Sequence, residues 1–350
     1  MPAPSGLHLG LAGVGRIGVM HARNLAAHPG VGRLTITDVD VPRARDVADD
    51  VGADACDGIA AMLASGIDGL VIATGTAAHP GLIAAAVDAG LPVLCEKPVA
   101  PDVPSSLPVL HHVAAVDGTV MIGHQRRFDR GYLEARRAFR AGELGWIHSM
   151  RAVTCDMSPP PVSFLATSGG LFRDCSVHDF DVIRWVTGRD IVEVYARGSN
   201  NGDPAIGAVG DVDTALAVCT LDDGTVTTVS ASRYNGAGHD VRLEIQGSLA
   251  SVVVGLDDAT AVRSVEPGVA FPAGRPHRTF ADRFADAYRA EIGAFLELVR
   301  GERPNPCTPE EAVTASQVAD AAQASLETGV AVRVGALPAG HAPVRLSSNE

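Results

Sequence analysis

Asp174 and His178 stand four residues apart in the stretch Asp174-Cys-Ser-Val-His-Asp-Phe-Asp181. On a helix that spacing puts both side chains on one face. A carboxylate beside an imidazole fixes the ring's tautomer and raises its basicity, which is what taking a proton from an alcohol requires. The helix macrodipole also favours an acid at a helix start, with a solvated histidine nearby, so the pair needs context. Gly169 and Gly170 precede it and the apolar run Val182 to Val186 follows, which predicts a loop opening into a helix over Ser176 to Val186. Lys97, before Pro98, is the other candidate. A lysine ammonium at the reacting carbon would stabilise an alkoxide; alone it reads equally as a solvated side chain after a strand.

The elements that must position these groups begin with Leu7 to Ala12, an apolar run fit for a buried parallel strand. Gly13-Val-Gly15-Arg16-Ile17-Gly18 follows, and a helical pattern continues through Leu25. Gly13 permits the tight turn, Gly15 lets backbone approach a pyrophosphate, and Gly18 lets helix and strand pack closely. Arg16 and Ile17 open the helix whose N-terminus would face the phosphates. A second strand, Leu34 to Thr37, ends at Asp38. An acid there accepts the adenine ribose hydroxyls and repels a 2′-phosphate, so NAD is favoured. Arg43 and Arg45 lie just beyond, and use of NADP stays open.

Alternation continues with strands at Gly69 to Thr74, Pro92 to Cys95 and Thr119 to Ile122, and a helix at Pro80 to Ala89. Pro104 and Pro108 are expected to confine the helix in Val103 to Val116 to its later part. Such alternation predicts a doubly wound parallel sheet, with ligand beyond the carboxyl ends of the strands. Thr74, Thr76, His79, Glu96 and Lys97 follow strand ends and are therefore expected to meet the nicotinamide half of the cofactor.

The chain has 350 residues, enough for two domains. Its formal net charge of −13 argues against a phosphate-backbone partner. Six scattered cysteines with no C-x-x-C pair argue against a zinc knuckle or a disulfide framework, and no metal is expected. No signal-peptide design is visible and the longest apolar region is interrupted by charges and proline, so a soluble cytoplasmic protein is expected.

The glycine loop, Glu96-Lys97-Pro98, Gly123-His-Gln-Arg-Arg-Phe-Asp129 and Asp174-x-x-x-His178-Asp-x-Asp181 together resemble the Gfo/Idh/MocA oxidoreductases, within them most the bacterial inositol 2-dehydrogenases. The resemblance covers nearly the whole chain, including Ala287-Tyr-Arg-Ala-Glu291. It implies a Rossmann domain followed by an α/β domain with a large open, mostly antiparallel sheet. It implies Lys97, Asp174 and His178 as catalytic residues, and Arg127, Asp156, His239 and Tyr288 at the substrate. Gly236-Ala-Gly-His-Asp240 replaces an aromatic-rich turn of some relatives, which bears on substrate identity.

In the second half, strand-like runs lie at Ile147 to Cys155, Ile191 to Ala196, Thr214 to Leu221, Thr225 to Arg233, Asp240 to Gln246 and Ala250 to Val254. Asp222-Asp223-Gly224 signals a hairpin. Phe280 to Val299 and Pro309 to Leu326 read as helices, the second with Thr308 as N-cap. The expected domains are a Rossmann domain at 1–122, a substrate and oligomerisation domain at 123–336, and a tail at 337–350. The function expected is NAD-dependent oxidation of a secondary hydroxyl, myo-inositol to its 2-keto product. The alternatives are scyllo-inositol, an aminocyclitol, a pyranose, a non-redox reaction using transient NAD oxidation, or a sensor with a degenerate site. A homo-oligomer, dimer or tetramer, through the second sheet is expected.

Overall fold

Buried apolar strands and glycine turns alternate through the first third, and the chain folds accordingly. The computed structural model describes residues 6–337. Apart from Leu337, the expected tail lies outside the described residues. The described chain divides into two compact units, residues 6–125 with Asp286–Val313, and Arg126–Ala285 with the stretch from Thr314 to Leu337. A linear cut at 122/123 therefore misses the return of 286–313 to the first unit. The expected helix Phe280 to Val299 is in fact two, Phe280–Arg283 and Ala285–Val299. The boundary between units falls at that break.

The first unit contains a parallel sheet of β1 (Leu7–Ala12), β2 (Val31–Thr37), β3 (Asp54–Ala55), β4 (Gly69–Ile72), β5 (Val93–Glu96) and β6 (Val120–Gly123), in the order β3-β2-β1-β4-β5-β6. Strands β4, β5 and β6 are buried along their whole length, as parallel strands covered on both faces must be. Strand order reverses between β1 and β4, which makes the crevice above them the topological switch point. The helix Val41–Val51 was not expected; it buries only Ala44 and Ala48 and so carries a weak apolar stripe. The helix at Val103–Ala115 runs its full length, against expectation. Pro104 sits in the first turn, where no intrahelical donor is needed. Asp102 and Ser105 form a capping box there, and Pro108 is accommodated inside the helix.

The second unit is built on a seven-stranded sheet: β7 (Ile147–Cys155), β8 (Ile191–Ser199), β9 (Thr214–Leu221), β10 (Val226–Ser232), β11 (Asp240–Gly247), β12 (Ser251–Val254) and β13 (Val332–Arg333). Its order is β12-β11-β7-β10-β9-β8-β13, antiparallel throughout except for the parallel pair β7 and β10. The hairpin at Asp222 to Gly224 forms as expected; Gly224 has φ +87° and Leu221 N donates to Thr225 O at 2.9 Å. Val194, Ala217, Val229 and Leu243 point inward and are buried, while Tyr195, Leu216, Val218 and Val226 point outward and are exposed. Helix Arg130–Arg140 packs on helix Val177–Thr187. Its basic face is matched within the fold: Arg137 bonds Glu134 and Glu143, and the Arg136 guanidinium lies 4.2 Å over the Trp185 ring. Thr308 and Glu311 form a reciprocal cap on helix Pro309–Thr328. Among the described residues no helix is long and apolar enough to cross a membrane.

Candidate active site

The glycine loop in the first unit fits a dinucleotide on steric grounds. Gly13 has φ +96°, and a Cβ there would sit 2.6 Å from the Ala73 carbonyl oxygen. A Cβ on Gly18 would collide with the Gly13 carbonyl. At Gly15 the space is open for at least 4 Å, so a phosphate can approach the backbone. Gly15 also precedes helix Arg16–Ala27 with no side-chain cap bond, so no capping oxygen competes with an anion at that helix start. Arg16 is exposed and Ile17 half-buried at that helix start.

Asp38 ends β2 half-buried, with Oδ2 accepting from Val14 N at 2.7 Å and Oδ1 from Asp40 N at 2.9 Å. The carboxylate thus braces the glycine loop from the end of β2. Val39 beyond it is fully exposed and uncharged, and Arg45 is engaged by Asp57 at 3.2 Å.

Thr74 and Thr76 are half-buried after β4. His79 is placed differently from expectation. It is 1% exposed, with Nδ1 2.8 Å from the Pro98 carbonyl oxygen and Nε2 3.3 Å from that of Thr74. Its ring ties the loops after β4 and β5 together and presents almost no surface to a ligand. Glu96 also turns inward: its Oε1 lies 2.7 Å from His21 Nε2 and the residue is 8% exposed. Lys97 follows it half-buried, before a cis peptide to Pro98.

Tyr288 belongs to the first unit, is buried, and sets its ring edge-on to His21 at 5.9 Å. Glu291, one helical turn on, is fully buried beside His21 and Glu96. Neither of its carboxyl oxygens has a hydrogen-bond partner. Burial first, and then the charge of Glu96, push its carboxyl well above the usual carboxylate range. A neutral Glu291 beside the Glu96–His21 pair is the state this geometry favours.

In the second unit, Gly169 and Gly170 have φ of +81° and +88° and turn the chain into a helix. That helix begins earlier than expected, with a π turn over Phe172–Ser176 that runs on into Val177–Thr187. Val177 N donates to the Phe172 carbonyl, five residues back. The wider turn carries Asp174, and His178 lies just after it; both are half-buried. Such turns recur at functional sites because the extra residue re-aims the side chains.

Asp174 Oδ2 accepts from Arg233 Nη1 at 2.9 Å, and Arg233 Nη2 donates to Asp211 Oδ2 at 2.9 Å. Cys175 Sγ lies 3.9 Å from Asp174 and 3.8 Å from Asp156. Asp156 Oδ1 in turn is 3.1 Å from His239 Nδ1, close enough for an ion pair but off-line for a hydrogen bond. The fold therefore brings Asp174 and Asp156 to one thiol, and His239 to Asp156. Arg127 is not among them. It is 3% exposed and grips Asp181 in a fork, Nε to Oδ2 at 2.9 Å and Nη2 to Oδ1 at 2.6 Å. Its neighbour Arg126 holds Asp179 at 2.5 Å, and Thr154 donates to the same carboxylate. Burial pushes the Asp179 carboxyl up, and Arg126 and Thr154 offset that in part. These arginines bind the helix of His178 to the segment after β6, and they occupy the two acids that follow His178 in sequence.

Arg233 and Asp211 have no motif to betray them, but strand parity does. Thr227, Val229 and Ala231 of β10 face inward, and Arg233 has the same parity. Asp211 and Asp213 share the inward parity of Ala215 and Ala217 in β9. A charge on the buried side of a strand needs a partner, and these are partners of one another.

Residues 7–124 match the family described as oxidoreductase family, NAD-binding Rossmann fold, and residues 136–334 match its C-terminal alpha/beta domain. A myo-inositol dehydrogenase of Streptomyces leeuwenhoekii is 39% identical over 91% of this chain and 97% of its own. A solved myo-inositol dehydrogenase from Corynebacterium glutamicum superposes with a TM-score of 0.86 at 32% identity, covering 95% of this chain and all of the other. The scyllo-inositol dehydrogenase of Lactobacillus casei, solved with NAD(H) and scyllo-inositol bound, gives 0.85 at 29% identity over 95% of this chain and 100% of that one. With both of its units accounted for in this way, the chain belongs to the Gfo/Idh/MocA oxidoreductase family.

Proposed function

We propose that the protein is an NAD-dependent dehydrogenase that oxidises a secondary hydroxyl of a cyclitol, with myo-inositol the preferred candidate. The observation that carries this reading is the half-buried Asp174 and His178 on and just after a π turn, in a chain similar throughout to proteins named inositol dehydrogenases. His178 takes the hydroxyl proton as general base. Asp174 orients the imidazole and stabilises it once protonated. Lys97 stabilises the alkoxide that develops. Bound NAD supplies the hydride acceptor at its nicotinamide ring. The C–H electron pair leaves as hydride, the O–H proton goes to His178, and the products are ketone, NADH and a proton. Gly13, Gly15 and Gly18 hold the pyrophosphate and Asp38 the ribose. Thr74, Thr76 and the Glu96-Lys97 turn border the nicotinamide. Asp156 and His239 bond substrate hydroxyls.

Purified protein mixed with NAD and myo-inositol, scyllo-inositol, inosamines, glucose or anhydrosugars, with NADP in parallel, tests the reading through NADH absorbance. Turnover with a cyclitol and NAD is expected. Silence across the panel while NAD still binds would overturn it.

We also infer a homo-oligomer through the outer face of the second sheet, and a cytoplasmic location. Tyr195 and Val218 lie opposite each other on β8 and β9, with Leu216 and Val226 beside them, all exposed. An apolar face of this kind is commonly covered by a second copy. All six cysteines are free thiols, as a reducing compartment permits.

A further inference from the structure

Resting on the dehydrogenase reading above, we propose that Arg233 is a positioning residue for the reaction: through a buried clamp completed by Asp211, it holds Asp174 charged and in place. Arg233 has no exposed surface, and the Asp174 and Asp211 side chains at its two ends are 18% and 5% exposed. Of the three, Asp174 reaches furthest toward solvent. The clamp thus runs from the interior outward and ends at the candidate catalytic carboxylate.

Asp211 does more than neutralise the guanidinium. Its Oδ1 accepts from Leu171 N at 2.9 Å and from Val212 N at 2.9 Å. Leu171 is the residue from which the π turn starts. One carboxylate therefore fixes the backbone entering the turn and, through Arg233, the side chain the turn carries. Arg233 is itself anchored, its N–H donating to the Asp213 carbonyl at 2.7 Å. Asp213 spends Oδ2 on the amides of Asn201 and Gly202, at 2.8 and 2.5 Å. That tethers the loop following β8.

The chemistry of the group suits the task. A guanidinium stays charged at any working pH and cannot compete for the proton that His178 must take. Its fork addresses two carboxylates at once. As a device for stability alone, a buried ion triad has little to recommend it, since well-packed apolar residues often do as well. A mispositioned catalytic group, in contrast, can cost about 10²-fold in rate for a shift of roughly 1 Å.

The test uses Arg233→Ala, Arg233→Lys and Asp211→Asn in the full chain. Arg233→Ala is expected to lower kcat about 10²-fold with NAD affinity unchanged. Removing a cation raises the pKa of both Asp174 and His178, so the ascending limb of the kcat/KM pH profile moves to higher pH. Of the other titratable groups around the clamp, the Cys175 thiol also accepts from Arg233 Nη1 at 3.8 Å, whereas Asp156, His239 and Asp213 are held by partners other than the guanidinium. Added guanidinium ion is expected to restore part of the Arg233→Ala rate, and Arg233→Lys to restore most of the limb position. Asp211→Asn keeps the Arg233 to Asp174 bond and covers the case in which Arg233→Ala does not fold; it is expected to lower kcat without moving the limb as far.

Near-normal kcat in a folded Arg233→Ala protein would overturn the proposal. So would a loss of rate with no limb shift and no guanidinium rescue, which is the signature of a merely structural arginine. If the wild-type protein oxidises no cyclitol, the functional reading falls first. The clamp is then read without turnover, from the His178 imidazole titration by NMR, assigned by difference against His178→Asn. A pKa unmoved by Arg233→Lys and Arg233→Ala alike would sink it.

Discussion

Asp38 accepts a 2.7 Å hydrogen bond from the Val14 amide, so the acid at the end of β2 fastens the glycine loop. In the proposed reading, recognition of the ribose and loop shape are carried by one carboxylate. Asp38→Ala is therefore expected to raise the KM for NAD by about tenfold or more, the loss of roughly 1.5–3 kcal/mol for a bond to a charged group. Asp38→Ser combined with Val39→Arg should shift preference toward NADP, by removing the repulsion and adding a cation. Steady-state constants with both cofactors check this; unchanged NAD kinetics in Asp38→Ala would remove the ribose role.

His178→Ala and Lys97→Ala are each expected to lower kcat by about 10²–10⁴ while NAD binding, read by fluorescence titration, survives. Loss of binding together with rate would point to a damaged fold rather than to lost chemistry.

The Arg127 fork on Asp181 is fully buried. Arg127→Ala leaves a carboxylate without its partner and should cost about 3–5 kcal/mol of stability. Denaturant melts of the variant measure it. A substrate contact with no structural duty would instead show normal melting and a raised substrate KM.

Glu291 gives a pH signature. Burial and the neighbouring Glu96 hold its folded-state pKa well above the usual carboxylate range. The folded chain thus binds the Glu291 proton more tightly than the unfolded chain does. That contribution is complete below the unfolded value and is lost as pH rises through the folded value. Glu291→Gln, which cannot ionise, should gain stability over the wild type as pH rises from the unfolded value through the folded one, by about 1–3 kcal/mol. Melting curves from mildly acidic to alkaline pH report it; a gain independent of pH would mean that Glu291 is not the group titrating.

Leu216→Glu with Val218→Glu places charge on the outer sheet face and is expected to lower the solution mass measured by light scattering. An unchanged mass would place the interface elsewhere.

Most of this architecture is legible where local chemistry is strict. Only glycine fits at Gly13 and Gly18, so the loop announces itself. Strand alternation in β7 and β9 gives their ends to the residue. Legibility fails where tertiary partners decide. Val41–Val51 is helical on two small buried alanines, and Pro108 is tolerated by a helix its sequence argues against. Nothing local shows that 286–313 rejoins the first unit. His79 reads as a ligand contact because it follows a strand end, and Arg127 because of the family resemblance, yet each is consumed by a partner that only the fold supplies. The candidate pair Asp174 and His178 is legible from its spacing, whereas the arginine bonded to Asp174 requires knowing which side of β10 is buried.

The π turn has one further consequence, for length rather than for chemistry. A helix start ordinarily accepts the loss of a residue by sliding its loop. Here the extra residue between Phe172 and Val177 is what sets the angular offset between the segment upstream and the helix of His178. Deleting a single residue from that turn would restore the ordinary winding of about 100° per residue and so change the direction in which Asp174 leaves the axis. Asp174 would then leave Arg233. The turn must keep its count of residues even where their identities are free to change, so this stretch tolerates substitution far better than it tolerates a gap.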